Sequence, residues 1–494
     1  MTQYTKANTL GELKALDYQP KPIKQELRDN LIYNIEHNIN TFEGVWGYED
    51  TVIPDIERAI LSGHNFNLLG LRGQAKTRIA RQLTNLLDPF IPIIAGSEIN
   101  DDPFNPISNY GISQIAQHGD NTPIEWLANT NRYTEKLATP DVSTADLIGD
   151  IDPIKAASMK LSYSDEQIIH FGLVPRAHRG IFVINELPDL QARIQVALFN
   201  ILQEGDIQIR GFRLRLPLDI HFIFTANPED YTNRGSIVTP LKDRIGSQIL
   251  THYPDSIEIG KKITQQEAKL FEDQNKKVTI NSLAEDLIEQ IAIEARNSEY
   301  IDEKSGVSAR LTISALENLR SAAHLRALKN KESKTHIRVV DFIGIIPSMT
   351  GKIELVYEGE QEGVSIVAQN LVGKAIRSLF TQYFPDPELS RKADKNPYQE
   401  IVKWFNDGNN VELLQTNSDK DYTKQLNNIP GLVELVGNMD PKPAIAEHPF
   451  LMEFALNGLA EYSQLSKHYI QNGTGFKDLL SSMLSFKDLE RDDE

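Results

Sequence analysis

The stretch Asn65-Phe-Asn-Leu-Leu-Gly-Leu-Arg-Gly-Gln-Ala-Lys-Thr-Arg78 constrains this chain more than any other. A short apolar run enters a glycine-bearing turn, followed by Lys76-Thr77 and a helical pattern. Strand, loop, Lys-[Ser/Thr], helix is the order of a phosphate-binding loop, in which backbone N–H groups turn towards a phosphate at a helix N-terminus. Read this way, Gly70, Arg72, Gly73, Gln74, Ala75, Lys76 and Thr77 surround a nucleotide's phosphates. Lys76 reaches the β- and γ-phosphates and Thr77 the Mg2+ ion. The stretch departs from G-x-x-x-x-G-K-[ST] at Ala75, where the second glycine is expected. Taken alone it also reads as a chance strand–turn–helix.

Length bounds the rest: 494 residues suggest about three domains. The absence of Cys excludes disulfides, thiol catalysis and Cys-ligated metals, and makes a reducing, cytoplasmic setting the expectation. The N-terminal residues carry no apolar signal segment, and no apolar run is long enough to span a bilayer. A net charge of −18 argues against broad binding to a nucleic-acid backbone.

Residues 1–41 read as a leader with one helix, Pro22 to about His37. From 42 to 254, short apolar runs alternate with helical patterns: Phe66–Leu69, Ile91–Ala95, Ile181–Ile184, Ile220–Ala226 and Gln248–His252. This predicts a mainly parallel α/β sheet with helices on both faces. The polar stretch from about Glu98 to Ala177 is expected to hold helices and inserted loops. From 255 to 350 the apolar spacing is helical (Leu283, Leu287, Ile291, Ala295; Leu311, Ala315, Leu319, Ala322), predicting a helical lid. Residues 351–494 are expected to be mostly helical, with helices near Val364–Leu379 and Leu451–Ile470.

Two further strand ends carry chemistry. Ile181-Phe-Val-Ile-Asn-Glu186 closes an apolar run with Asn185 and Glu186. A nucleotide hydrolase needs a metal-shell ligand there, then a carboxylate to polarise water. Asn185 can act on Mg2+ through a bound water but brings no charge. Ile220-His-Phe-Ile-Phe-Thr-Ala-Asn227 ends in a residue suited to position that water. Arg244, in Leu241-Lys-Asp-Arg-Ile-Gly246, can stabilise transition-state charge on a neighbouring subunit's nucleotide, with Arg234 as the competing candidate. Arg310, opening a lid helix, can contact the phosphates from its own subunit. Each feature has a bland counterpart: a buried strand with polar ends, an Asn-Pro turn, a surface Arg. Their order along the chain joins them.

With these motifs in order, roughly Phe42 to Ile346 resembles an AAA+ ATPase of the branch holding magnesium chelatase subunit I and the MoxR proteins. Ala59–Gly70 resembles the lead into the MoxR phosphate loop, and Asp102-Pro-Phe-Asn105 a short chelatase motif. Thr144–Asp152 is similar to the stretch before an inserted hairpin, and Gly172–Gly180 to the lead into the Walker B strand. The resemblance implies that 70–77 is Walker A and that Asn185 and Glu186 hold the Walker B positions. It makes Asn227 sensor 1, Arg244 the arginine finger and Arg310 sensor 2. It implies ATP with Mg2+ as ligands, a homo-oligomeric ring, usually a hexamer, and a partner with a von Willebrand factor A domain. Asp206–Leu216 alternates around Gly211 and reads as a hairpin with a basic stripe, Arg210, Arg213 and Arg215.

Four functions compete. The first is an ATP-driven motor that remodels or activates a protein client. The second is a slow or inactive nucleotide switch, suggested by Ala75 and Asn185. The third is the motor subunit of a metal chelatase, although no tetrapyrrole or metal site is visible: His118, His170 and His324 are scattered. The fourth is a nucleic-acid motor or transcription activator, opposed by the acidic charge and supported by the basic stripe alone.

Overall fold

The structure, a computed structural model, describes residues 4–152, 154, 168–204, 206–208, 215–228, 236–391 and 396–479. The chain forms two compact units, residues 1–253 and 254–494.

The first unit is built on a five-stranded parallel sheet. Its strands are β1 (Phe66–Leu69), β2 (Tyr133–Leu137), β3 (Gly180–Asn185), β4 (Ile220–Ala226) and β5 (Ser247–Leu250), in the order β5-β1-β4-β3-β2. Every residue of β3 and β4 is buried. These strands therefore read as continuous apolar runs, as inner strands covered on both faces must. One face carries α1 (Ile23–Glu36), α2 (Val52–Leu61) and α3 (Lys76–Gln82): Leu27, Ile56 and Ile79 share a cluster with Phe66, Leu68, Ile181, Val183 and Ile223. The other face packs α4 (Ala192–Glu204) and α5 (Thr239–Arg244) through Ile194, Leu198 and Leu241 onto Phe182, Phe222 and Phe224. Each such side chain, fully buried, contributes roughly 1.5–3 kcal/mol.

The second apolar run of the sequence is a strand, Phe90–Ile94, but it lies outside this sheet. It pairs antiparallel with Ile124–Ala128. The place expected for it belongs to β2, from the stretch read as helices and loops. As an edge strand, β2 is half-buried over most of its length, so Tyr-Thr-Glu-Lys-Leu lacks the apolar signature of β3. The expected hairpin is present at its base, Asp206–Gln208 against Arg215–Pro217; Arg210, Gly211 and Arg213 lie outside the described residues. A second antiparallel pair joins Gly149–Ile151 to Ile169–Phe171.

The second unit is helical around α6 (Ile257–Glu267), α7 (Ser282–Arg296), α8 (Arg310–Asn330), α9 (Val364–Tyr383) and α10 (His448–Glu461). Leu287, Leu319, Leu371, Phe380 and Phe454 belong to one apolar cluster, so residues on both sides of position 350 share a core. A three-stranded antiparallel sheet, β6 (Val411–Leu414), β7 (Ser466–Ile470) and β8 (Gly473–Lys477), has the order β6-β8-β7. The helix expected to run to Ile470 ends at Glu461. Ser463 adopts φ 53°, and the Gln464 N–H returns to the Leu459 carbonyl at 2.8 Å. This left-handed cap ends the helix, and the chain continues as β7.

Candidate functional site

The loop 70–75 leaves the carboxyl end of β1 and is tied on several sides. Gly70 N–H donates to the Ala226 carbonyl at the end of β4, 3.2 Å away. Gln74 is buried; its Oε1 accepts from Thr251 Oγ1 at 2.7 Å, and its carbonyl lies 3.1 Å from the Tyr48 hydroxyl. The same hydroxyl is 2.7 Å from the His252 carbonyl, and Tyr253 donates to the Arg72 carbonyl at 3.1 Å. Burial pushes the Tyr48 phenol well above its ordinary range, so it stays a donor. At Gly70 a Cβ would meet Thr251 Oγ1 at 2.0 Å and Gln74 Oε1 at 2.1 Å. Glycine is needed there for close approach. Gly73 and Ala75 have φ of 75° and 56°. Ala75 therefore holds the left-handed conformation in which glycine was expected, and α3 begins immediately after it. The Lys76 ammonium is buried and donates to the carbonyls of Gly70 and Leu71, the latter at 3.0 Å. Thr77, the second residue of α3, is half-buried.

Across the sheet, Asn185 closes β3 on the α3 side, since it follows Val183 by two residues. Its Nδ2 donates to Glu135 Oε1 at 2.7 Å, and its Oδ1 accepts from Thr225 Oγ1 at 3.1 Å. The Thr225 hydroxyl also accepts from Glu186 N–H at 3.1 Å. One hydroxyl of β4 thus pins two successive residues at the end of β3. Glu186 takes φ 55°, ψ 51°, a sharp exit from the strand. Asn227 follows β4 and is buried. Its Oδ1 has no hydrogen-bond partner among the described residues. A buried amide oxygen left alone costs roughly 1–3 kcal/mol, which a ligand or water can recover.

The loop, Asn185-Glu186 and Asn227 therefore stand at the carboxyl ends of β1, β3 and β4, adjacent in the order β1-β4-β3. Arg244, the last residue of α5, is exposed; it pairs with Asp243 at 2.5 Å and lies 5.7 Å from the centre of the Phe199 ring. Arg310 is an exposed first residue of α8 and belongs to the second unit. Arg234 lies outside the described residues. The donor set suits a phosphate chain with its cation: an ammonium inside a loop of close-packed backbone, a threonine hydroxyl next to it, and an unpartnered buried amide oxygen opposite.

Residues 158–246 match the profile of the sigma-54 interaction domain. Over 226 residues the chain is 25% identical to the magnesium-chelatase 38 kDa subunit of Rhodobacter capsulatus, covering 44% of this chain and 57% of that one. Over 194 residues it is 27% identical to the subunit of the same name from Cereibacter sphaeroides, covering 39% and 52%. These matches support an AAA+ protein of the magnesium chelatase subunit I branch. It spans about half the length of the curated relatives it matches. Among solved structures, the complex between subunits BchI and BchD of magnesium chelatase is similar at a TM-score of 0.33 and 18% identity, covering 65% of this chain and 98% of that one.

Sequence reading misses Glu135 and Thr225, which hold Asn185, and Tyr48 and Thr251, which hold the loop. Thr225 carried a signal, as the one hydroxyl among the apolar residues that end β4. Glu135 carried none, because its partner is 50 residues away on a parallel neighbour.

Proposed function

We propose that this AAA+ protein binds ATP with Mg2+ on the loop 70–77 and hydrolyses it in a homo-oligomeric ring, usually a hexamer in its family, to remodel or activate a partner protein. The observation that carries the reading is the set of Lys76, Glu186 and Asn227 at the ends of three adjacent strands. Gly70, Arg72, Gly73, Gln74 and Ala75 shape the cradle, Lys76 neutralises phosphate charge and Thr77 would hold the metal. Bound Mg2+ supplies charge stabilisation on the phosphate oxygens. Glu186 takes a proton from water as that water attacks the γ-phosphorus; the bond to the bridging oxygen breaks and inorganic phosphate leaves. Asn227 orients the water through its Oδ1, which has no partner among the described residues. Arg244 reaches the nucleotide of the next subunit, and Arg310 contacts the phosphates from its own lid. A protein with a von Willebrand factor A domain is the expected companion, and the cytoplasm the expected setting. Among the described residues no helix is long and apolar enough to cross a membrane.

The test compares nucleotide affinity with phosphate release. Lys76→Ala is expected to abolish ATP binding, whereas Glu186→Gln binds as the parent does and releases no phosphate. Unchanged affinity in Lys76→Ala would sink the site. Tight binding by the parent without phosphate release would favour the slow-switch reading, to which Ala75 and the uncharged Asn185 point.

A further inference from the structure

A neutral amide at the end of β3 leaves the proposed metal side of the site without its expected carboxylate, yet a carboxylate is in direct contact with that amide. We propose that Glu135, on the edge strand β2, supplies the missing negative charge, so that the hydrogen-bonded pair Glu135–Asn185 serves Mg2+ where one aspartate otherwise would. The proposal rests on the ATP-site reading above.

Three observations carry it. First, the amide orientation is fixed by chemistry. A carboxylate only accepts, so the atom of Asn185 facing Glu135 Oε1 at 2.7 Å is Nδ2, and Oδ1 is the atom that meets Thr225. Second, the pair lies on the α3 face. Glu135 accepts from Arg81 of α3, at 2.9 Å from Nε and 3.3 Å from Nη2, so the helix that begins with Lys76-Thr77 reaches the same carboxylate. Third, the charge count is complementary. An aspartate at 185 would set two carboxylates within hydrogen-bond distance, and like charges that close resist joint ionisation. Asn185 and Glu135 read together as one charge shared by two positions. The Arg81 side chain is 64% exposed and Glu135 22%. Arg81 can therefore turn to solvent at little cost and leave Glu135 available to a cation.

The test is a charge relocation read by binding. Association of a fluorescent, non-hydrolysable ATP analogue is titrated against Mg2+ in the parent, Glu135→Gln, Asn185→Asp and the double variant. Removing an outer partner of a metal ligand usually costs about tenfold or more in metal affinity. Glu135→Gln should raise the half-saturating Mg2+ concentration by about that factor. Asn185→Asp alone should gain nothing, whereas the double variant should return to within about threefold of the parent, since its charge count is restored. An unchanged Mg2+ requirement in Glu135→Gln overturns the proposal, as does a double variant no better than Glu135→Gln. Arg81→Gln separates charge supply from structural support: it breaks the ion pair but keeps the carboxylate. If it raises the Mg2+ requirement as Glu135→Gln does, the network is structural and the proposal fails. Should the analogue bind the parent and Lys76→Ala equally, the ATP site itself is wrong. Loss of the Glu135 effect with Lys76 dependence intact would reject this inference alone.

Discussion

Ala75 shows what a single methyl group costs in the proposed phosphate loop. In the left-handed region a side chain brings Cβ against its own backbone, at about 1–2 kcal/mol for an L-residue. The tethers on Gln74, Gly70 and Lys76 hold it there. Ala75→Gly removes that strain while loosening the unfolded chain, so a net gain of about 0.5–1 kcal/mol is expected in urea unfolding. A loss of stability would mean that the Ala75 methyl makes contacts that outweigh its strain. Much of the loop is legible in the sequence because its residue types are chemically narrow: glycine at 70 and 73, then Lys-Thr. Asn185 is legible as a position, but not as a contact. That Nδ2 meets Glu135 depends on the register of β2 on β3, with Leu137 opposite Asn185, and residue order does not announce a register.

At the scale of elements, α1 is joined to the approach to β2 by a buried ion pair. Arg132 Nη1 and Nη2 each lie 2.6 Å from a Glu26 carboxylate oxygen, with both side chains at most 3% exposed. Glu26 also accepts from Asp88 N–H at 2.6 Å. Arg132→Ala leaves a buried carboxylate unpaired and should cost about 3–5 kcal/mol; replacing both residues with apolar ones of similar volume should recover most of it. Equal losses in the single and double variants would show that packing, rather than the charge, matters. In the second unit, α10 carries Glu453, fully buried, with Oε2 2.5 Å from the Tyr422 hydroxyl and 2.7 Å from Val339 N–H. Burial pushes this carboxyl up to about 7. The native state keeps a proton that the unfolded chain releases, so stability should fall as pH rises from about 4.5 to 7, by about 3 kcal/mol. Glu453→Gln should flatten that slope; an unchanged slope would move its origin elsewhere, with Glu289, also raised to about 7 by burial, as the next candidate. Strands β1, β3 and β4 are legible because inner strands carry apolar runs. β2 escapes because an edge strand need not, and β7 because a left-handed serine, which sequence does not mark, ends α10.

At the scale of the whole molecule, the proposed ring makes a prediction that no single chain can satisfy. Glu186→Gln and Arg244→Ala should each fail to hydrolyse ATP. Mixed, they form some interfaces that pair an intact Glu186 with an intact Arg244. A finger of this kind can contribute about 10³-fold or more in rate, so even a minority of repaired interfaces should register as phosphate release. No recovery despite demonstrated co-assembly would mean that Arg244 acts within its own subunit, that turnover needs the whole ring intact, or that Arg234 is the finger; Arg234→Ala in the same mixture tests that last case. The join between the two units matters here too. Thr251, His252 and Tyr253 are the last residues of the first unit, and all three are fastened: to Gln74, to Tyr48 and to the Arg72 carbonyl. A pull on Pro254 therefore arrives at the carbonyls and side chains of the loop itself. The loop that would grip the nucleotide is thus among the parts of its unit fastened directly to that join. If the loop binds phosphate as proposed, force on this join and phosphate binding draw on the same hydrogen bonds.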